Sequence, residues 1–120
     1  MFIRKLDECE EFIAGDNTIL RELLHADKSD EDFRYSLAHA VVKPGDVSAP
    51  HTLSVSEVYY ILEGEGKMTI GDETELVGPG CVISIPPNAT QFIENTGDID
   101  LKFLCIVDPA WCPDHEVILK

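Results

Sequence analysis

Turn-forming residues interrupt this sequence so often that no long helix fits between residues 34 and 108. Clusters of glycine, proline, asparagine and aspartate recur along it, and the β-rich segments beside these turns are four to nine residues long. Those segments are rich in β-branched and aromatic residues, which favour extended backbone. Short strands separated this regularly are typical of an all-β sandwich or barrel. The clusters lie at residues 43–46, 64–66, 78–80, 86–88 and 95–98.

The segments between these clusters predict the strands. The clearest pair, residues 67–70 and 74–77, flanks Gly71-Asp72 and predicts a tight hairpin. Residues 57–63 are dominated by tyrosine and β-branched residues and end at a glycine turn, which favours a strand. The remaining predicted strands cover residues 34–42, 81–85, 90–94 and 101–107.

The two ends of the chain are less regular. Residues 16–26 allow an amphipathic helical turn, but the neighbouring β pattern favours a strand. A short helix fits only within residues 7–13 or 26–33. The residues from Pro109 onward are expected to wrap the outside of the barrel or to pack on a partner.

Length and charge narrow the range of functions. With 120 residues, the chain is predicted to form a single domain over residues 1–120. Its net charge of −14 excludes nucleic acid as a partner, because that binding needs clustered lysine and arginine. No apolar run is long enough to cross a bilayer and no signal peptide is evident, so no membrane partner and a cytoplasmic location are expected. The four cysteines are scattered and are expected to be reduced.

Two spaced motifs within residues 45–95 carry a more specific signal. The first consists of Gly45, then His51-Thr52-Leu53 after five residues, Glu57 after three more and Gly64 after a further six. Side chains alternate between the two faces of a strand, so the first and third residues of His51-Thr52-Leu53 share a face.

The second motif begins fifteen residues after the first one ends. It consists of Gly80, Pro86-Pro87-Asn88 after five residues, Gln91 after two more and Asn95 after a further three. A closed barrel directs one face of each strand into a common lumen. The polar residues of both motifs are therefore predicted to meet inside the barrel.

Together the two stretches resemble the paired motifs of the cupin superfamily, G-x5-H-x-H-x3–4-E-x6-G and G-x5-P-x-G-x2-H-x3-N. The resemblance covers about residues 34–108. It implies an antiparallel double-stranded β-helix, the jelly-roll type of cupin barrel. It also implies a divalent metal in the lumen, held by the two histidines and the glutamate of the first motif and by the histidine of the second.

This sequence departs from the family pattern at two of these four ligand positions. His51 and Glu57 match, but Leu53 replaces the second histidine and Gln91 replaces the last one. Leucine cannot coordinate a metal, and the carbonyl oxygen of glutamine is a weaker ligand than imidazole. The resemblance therefore implies a site of His51, Glu57 and Gln91 for Fe, Mn, Ni or Zn, with open positions for water or substrate.

The alternative is a lumen that has lost the metal and kept the pocket. Buried polar groups must be paired, and a His51–Glu57 pair meets this need without an ion. Glu57 then acts as a general base with His51 as its partner, or the pocket binds or senses a small molecule without catalysis. The sequence leaves both alternatives open.

Three further residues are expected to contact the ligand. Tyr59 shares the face of Glu57 and offers a hydroxyl as a catalytic or substrate-binding group. The segment containing Cys105 resembles the late strand of small cupins in which a thiol can face the lumen. Phe103 shares its face, so both are predicted to bind substrate.

Two histidines are not assigned to the site. If Ala38, Ala40 and Val42 point inward, His39 points outward, which favours a structural or interface role. His25 stands near charged residues and is expected to be exposed.

The resemblance does not choose one function, because cupin barrels host dioxygenases, isomerases, decarboxylases and non-catalytic binders. It implies a small polar metabolite in the lumen. As in many cupins, it also implies a homodimer, which would bury an exposed sheet edge. A purely structural domain would need a lumen filled with side chains, so an open pocket would count against it.

Overall fold

The computed structural model describes residues 1–119, which form two antiparallel sheets packed around one core. The eleven strands of this part of the chain are β1 Glu11–Ile13, β2 Ile19–Leu24, β3 Ser36–Val42, β4 His51–Leu53, β5 Ser56–Glu63, β6 Gly66–Ile70, β7 Glu73–Val77, β8 Val82–Ile85, β9 Gln91–Asn95, β10 Leu101–Asp108 and β11 Glu116–Ile118. The six-stranded sheet has the order β1-β2-β3-β10-β5-β8, and the five-stranded sheet has the order β11-β4-β9-β6-β7.

The strands predicted between the turn clusters are all present, so the all-β barrel prediction is confirmed. The interpretation of residues 16–26 as a strand is also confirmed, because β2 lies within them. The expectation that the residues from Pro109 onward wrap the outside of the barrel is wrong, whereas their packing on a partner stays a prediction. Strand β11 extends the five-stranded sheet by pairing with β4, which otherwise has a single paired position, between His51 and Gln91.

Helical structure is limited to short 3-10 turns within residues 1–119. They cover Leu6–Glu8, Ala26–Lys28 and Pro113–His115. The second lies inside one range predicted to allow a helix. The first overlaps the beginning of the other range, 7–13, and β1 takes its last three residues. None of the helices in this described part of the chain has the length and apolar character needed to span a bilayer.

The core lies between the two sheets and follows from strand alternation. On β5 the buried side chains are Glu57, Tyr59 and Ile61, and on β9 they include Gln91 and Ile93. Glu57 and Gln91 begin these two stripes and are hydrogen-bonded to each other, so these polar side chains lie together in one part of the lumen. The apolar part contains Ala40, Val42, Tyr59, Ile61, Met68, Ile83, Ile85, Ile93, Leu101 and Phe103.

Several motif residues fix the conformation of the backbone. Gly64 has a φ of 87°, and a Cβ there would lie 2.6 Å from the carbonyl oxygen of Asp100, so only glycine fits. Asn88 stands where the family motif has glycine and has a φ of 69°, a conformation that asparagine tolerates. The buried Asn95 side chain donates to the carbonyl oxygens of Val42 and Ile99 at 2.9 and 2.8 Å, which fixes the connection to β10.

Candidate functional site

A cavity of about 710 Å³ lies within the barrel, and this is large enough for a small metabolite. An open cavity of this size counts against the purely structural interpretation of the fold. Its wall is mostly apolar, and most of its polar residues come from β4, β5 and β11 and from the segment of residues 16–28. The apolar and aromatic lining includes Phe12, Ile13, Leu20, Leu53, Tyr59, Phe103, Val107 and Trp111.

Gln91 connects the two sheets beside this cavity. It lies on β9 in the five-stranded sheet, and its side chain reaches two residues of β5 in the other sheet. Its Nε2 donates to Glu57 Oε1 at 2.8 Å, and its Oε1 accepts a hydrogen bond from Tyr59 Oη at 3.1 Å. Gln91 is 0% exposed, so both ends of its amide are held by these partners away from water.

Glu57 is the end of this hydrogen-bonded chain that faces the cavity. It is 7% exposed and lines the cavity wall. Burial raises the pKa of its carboxyl to about 7, although the hydrogen bond from Gln91 and the nearby His51 favour the charged form. Glu57 therefore exchanges its proton near neutral pH, which is the property required of a general acid or base.

Tyr59 and Cys105 lie beside Glu57 on adjacent strands, with Cys105 directly opposite Tyr59 in the register of β10 and β5. Burial raises the pKa of both the phenol and the thiol well above their ordinary values. Both groups therefore stay protonated at neutral pH. The rings of Tyr59 and Phe103 are 4.5 Å apart, and all three side chains line the cavity.

His51 lies on β4 and is 3% exposed. Its Nδ1 is 2.8 Å from the carbonyl oxygen of Ala49. Because a carbonyl can only accept, Nδ1 carries the proton, and Nε2 of the neutral ring keeps its lone pair. Nε2 is 3.8 Å from Asp16 Oδ2, which is too far for a hydrogen bond.

Asp16 and Glu116 join His51 in a cluster that the sequence analysis missed. One ligand atom from each of the three side chains lies within 4.8 Å of the other two. Asp16 lies in the turn between β1 and β2, where its Oδ1 accepts hydrogen bonds from the backbone N–H and the hydroxyl of Thr18 at 3.1 and 2.6 Å. The spacing Asp-x-Thr predicts such a turn, but it does not predict the contact with His51.

Glu116 reaches the cluster from the C-terminal strand β11. Its Oε2 accepts a hydrogen bond from Trp111 Nε1 at 3.0 Å, and burial raises the pKa of its carboxyl. In the register of β11 and β4, Glu116 lies opposite Leu53. A three-residue strand is too short to be recognised from its pattern, so no sequence signal could have identified this residue.

The three ligands implied by the family pattern do not fit a metal ion in this arrangement. Leu53 is buried and apolar, and the carbonyl oxygen of Gln91 is directed at Tyr59 Oη. Glu57 Oε1 is held by Gln91 Nε2. This leaves only His51 Nε2 and Glu57 Oε2 without a hydrogen bond among residues 1–119, and two donors are fewer than a specific site requires.

The charge of the lining is strongly acidic. Five carboxylate side chains face the cavity, against a single lysine, Lys28. That lysine is also paired with Glu22 at 3.2 Å. An anionic ligand would therefore meet repulsion in the lumen, whereas a neutral or cationic one would not. The acidic residues are Asp16, Glu22, Asp27, Glu57 and Glu116.

The two histidines that were not assigned to the site lie on different sides of the cavity wall. His39 points away from the cavity and lies between Arg21 of β2 and Leu104 of β10, as the alternation on β3 predicts. The prediction that His25 is exposed is wrong, since it is 7% exposed and lines the cavity. Its Nδ1 accepts from the backbone N–H of Asp27 at 3.1 Å, and its Nε2 donates to the carbonyl oxygen of Trp111 at 2.8 Å.

The barrel fold and the two motifs indicate one family of proteins. The family model described as "Cupin domain" matches residues 38–107, more than half of the chain. The chain therefore belongs to the cupin family, as the two motifs indicated. His51, Glu57 and Gln91 lie within the matched residues, whereas Asp16 and Glu116 lie outside them.

The chain is also similar in sequence to two curated proteins. It is 39% identical over 115 residues to the uncharacterized protein MJ1618 of Methanocaldococcus jannaschii, covering 95% of this chain and 91% of that protein. It is 30% identical over 115 residues to mannose-1-phosphate guanylyltransferase 2 of Escherichia coli O157:H7, covering 95% of this chain but 24% of that enzyme. The chain thus spans about a quarter of the length of this second relative.

The polyketide cyclase RemF from Streptomyces resistomycificus has a similar structure. Its TM-score is 0.83 at 24% identity, and the match covers 100% of this chain and 87% of that one. At this identity the likeness shows the cupin fold. What the cavity of the present chain does must be argued from its own residues.

Proposed function

We propose that the lumen binds a small neutral metabolite and transfers a proton on it, with Glu57 as the general acid–base group. The observation that carries this proposal is the Tyr59–Gln91–Glu57 hydrogen-bond chain, which ends in a carboxyl that lines the cavity. Only one oxygen of that carboxyl, Oε1, is used by the chain. The other, Oε2, is free of hydrogen bonds from residues 1–119 and can accept or donate the proton.

The direction of each hydrogen bond in the Tyr59–Gln91–Glu57 chain sets the role of each residue. Tyr59 stays protonated and donates to Gln91 Oε1, so Gln91 must turn its Nε2 toward Glu57. Tyr59 and Gln91 are thus positioning residues that hold the carboxylate in one orientation. A pKa of about 7 gives Glu57 substantial populations of both protonation states near neutral pH.

The walls of the cavity indicate the substrate class. Five carboxylates against one lysine disfavour phosphorylated or carboxylated molecules. The apolar surface near Glu57 suits a molecule with an apolar part, which Phe103 and Cys105 would contact. A neutral carbonyl or hydroxyl compound fits both conditions. Deprotonation of carbon next to a carbonyl, as in an isomerisation or a dehydration, is the reaction class that a single acid–base carboxyl supports.

The proposal is tested in two steps. A thermal-shift screen compares neutral sugars, nucleosides and hydroxyketones with their phosphorylated counterparts, at low salt and with the full chain. The compounds that stabilise the protein are then incubated with it in D₂O, and ¹H NMR follows deuterium incorporation at carbon. We expect stabilisation by neutral compounds, and exchange that Glu57→Gln reduces by roughly a hundredfold or more.

Control experiments test the charge of the substrate and the catalytic role of Glu57 separately. Phosphorylated compounds that stabilise the protein better than neutral ones would contradict the substrate class. Exchange that survives Glu57→Gln unchanged would remove Glu57 from the chemistry. The Tyr59→Phe variant should bind the same compounds and exchange more slowly, because Gln91 then loses its fixed orientation.

A second function, binding without catalysis, is favoured by the mostly apolar wall of the cavity. Under this function the lumen senses or carries a ligand, and no proton is moved. The same two steps separate it from the first, since it predicts thermal stabilisation that Glu57→Gln leaves largely intact and no deuterium incorporation.

A further inference from the structure

We propose that Asp16, His51 and Glu116 bind one divalent transition-metal ion, at a position different from that of the family's metal. This site would use two carboxylates and one imidazole. Only His51 is shared with the ligand set that the family pattern implies. The inference does not rest on the proposed proton transfer, because neither Glu57 nor its hydrogen-bond chain belongs to the site.

The donor atoms of the three side chains lie close together. His51 Nε2 and Asp16 Oδ2 are 3.8 Å apart, and one oxygen of Glu116 lies within 4.8 Å of both. Ligand atoms that share an ion lie about 2.0–2.2 Å from it, which places them roughly 3–4 Å from one another. Coordination of one ion would therefore need the Glu116 oxygen to move closer by up to about 1 Å.

The state of the histidine is an independent observation that points to a ligand. The His51 side chain is 4% exposed, and its Nε2 has no hydrogen-bond partner among residues 1–119. This nitrogen is directed at Asp16, and His51 lines the cavity, so an ion in the lumen can reach it. Its other nitrogen, Nδ1, is bonded to the carbonyl oxygen of Ala49 at 2.8 Å. Metal-bound histidines commonly use their second nitrogen in this way, which fixes the tautomer with the lone pair toward the ion.

The register of the sheet explains why the carboxylate comes from β11. Leu53 occupies the place of the family's second histidine and cannot coordinate an ion. Glu116 lies directly across from Leu53 on the neighbouring strand, with its side chain lining the same cavity. The C-terminal strand thus brings a new donor close to the position where one was lost.

The donor set indicates the class of ion. Two carboxylates neutralise the charge of a divalent cation, and the imidazole favours a transition metal over Ca²⁺ or Mg²⁺. Without a cation, two carboxylates facing one another in a buried site repel. A His51–Asp16 ion pair is the competing explanation for the cluster, and it predicts no saturable metal binding.

The test uses the metal ions themselves. The full chain, freed of metal with a chelator, is titrated calorimetrically with MnCl₂ and separately with ZnCl₂. We expect one equivalent of each ion, with Zn²⁺ bound more tightly than Mn²⁺. Asp16→Asn and Glu116→Gln should each weaken binding roughly tenfold or more. Both variants keep the acceptor oxygens used by Thr18 and Trp111, so the fold is retained, and far-UV circular dichroism checks this.

Two control variants make the outcome decisive. Glu57→Gln removes the family's acidic ligand and should weaken metal binding less than Asp16→Asn or Glu116→Gln does. Cys112→Ser, at the cavity wall, should leave metal affinity nearly unchanged, which excludes zinc capture by that thiol. The proposal is overturned by an absence of saturable binding. It is equally overturned by metal affinity that depends on Glu57 and not on Asp16 and Glu116. Neither result would bear on deuterium exchange.

Discussion

The Tyr59–Gln91–Glu57 chain and the Asp16–His51–Glu116 cluster lie in the same lumen, but their polar atoms are satisfied in opposite ways. In the chain, consecutive groups are joined by hydrogen bonds of 3.1 and 2.8 Å. In the cluster, the facing atoms His51 Nε2 and Asp16 Oδ2 are 3.8 Å apart and are not hydrogen-bonded to each other.

The difference separates two kinds of buried polar group. A hydrogen-bonded chain contributes to stability, and removing one member leaves the others unpaired. Side chains that face each other across a gap wider than a hydrogen bond contribute little to stability by themselves. The following four predictions test this contrast, from the largest expected effect to the smallest.

Replacing the middle of the chain should have the largest effect. Gln91→Leu leaves Tyr59 Oη without an acceptor and Glu57 Oε1 without a donor, both in a buried site. We expect the free energy of unfolding to fall by about 3 kcal/mol at pH 7, as measured by urea denaturation. A loss below about 0.5 kcal/mol would mean that the Tyr59–Gln91–Glu57 hydrogen bonds do not stabilise the folded protein.

The second prediction concerns pH. The folded pKa of Glu57 is about 7, above its ordinary value of 4.5, so the folded state holds the proton more tightly than the unfolded state. Stability should therefore fall as pH rises from about 4.5 to 7, by about 3 kcal/mol from this group alone. Glu57→Gln should remove most of that fall.

The measurement is a series of urea denaturations between these pH values for the native chain and the variant. The raised pKa of Glu116 acts in the same direction, so the difference between the two curves, and not either curve alone, isolates Glu57. Parallel curves would show that the carboxyl titrates at its ordinary pH.

Removing one end of the chain should cost less. Tyr59→Phe deletes the hydroxyl and leaves Gln91 Oε1 without its donor, while the ring keeps its contact with Phe103 at 4.5 Å between centroids. We expect a loss of about 1 kcal/mol in the free energy of unfolding. A loss as large as that of Gln91→Leu would place the energy in the packing of the ring and not in the hydrogen bond.

The cluster should respond least in metal-free buffer. Glu116→Gln keeps the acceptor for Trp111 Nε1 and removes one of two neighbouring negative charges. We expect the free energy of unfolding to change by no more than about 0.5 kcal/mol, in either direction. If Glu116→Gln destabilised the protein as strongly as Gln91→Leu does, the cluster and the hydrogen-bond chain would contribute equally to stability.

The sequence by itself determined the barrel and the inner part of the site. Turn clusters and strand alternation placed His51, Leu53, Glu57 and Gln91 on inward faces, and all four are buried. These features are local, because turn residues and a two-residue period act over a few positions. The two motifs then identified the cupin family from residues that hold the strands in place, such as Gly64 and Asn95.

Only the tertiary structure decided what the inward residues bond to. One of the two alternatives that the sequence left open paired Glu57 with His51. In the structure Glu57 is hydrogen-bonded to Gln91, and His51 faces Asp16 and Glu116. Asp16 precedes the matched family residues and Glu116 follows them, so a hundred positions separate the two. They meet because β11 pairs with β4 and the β1–β2 turn lies against the same lumen. Such contacts depend on strand pairing over long distances along the chain, and a local pattern contains no record of them.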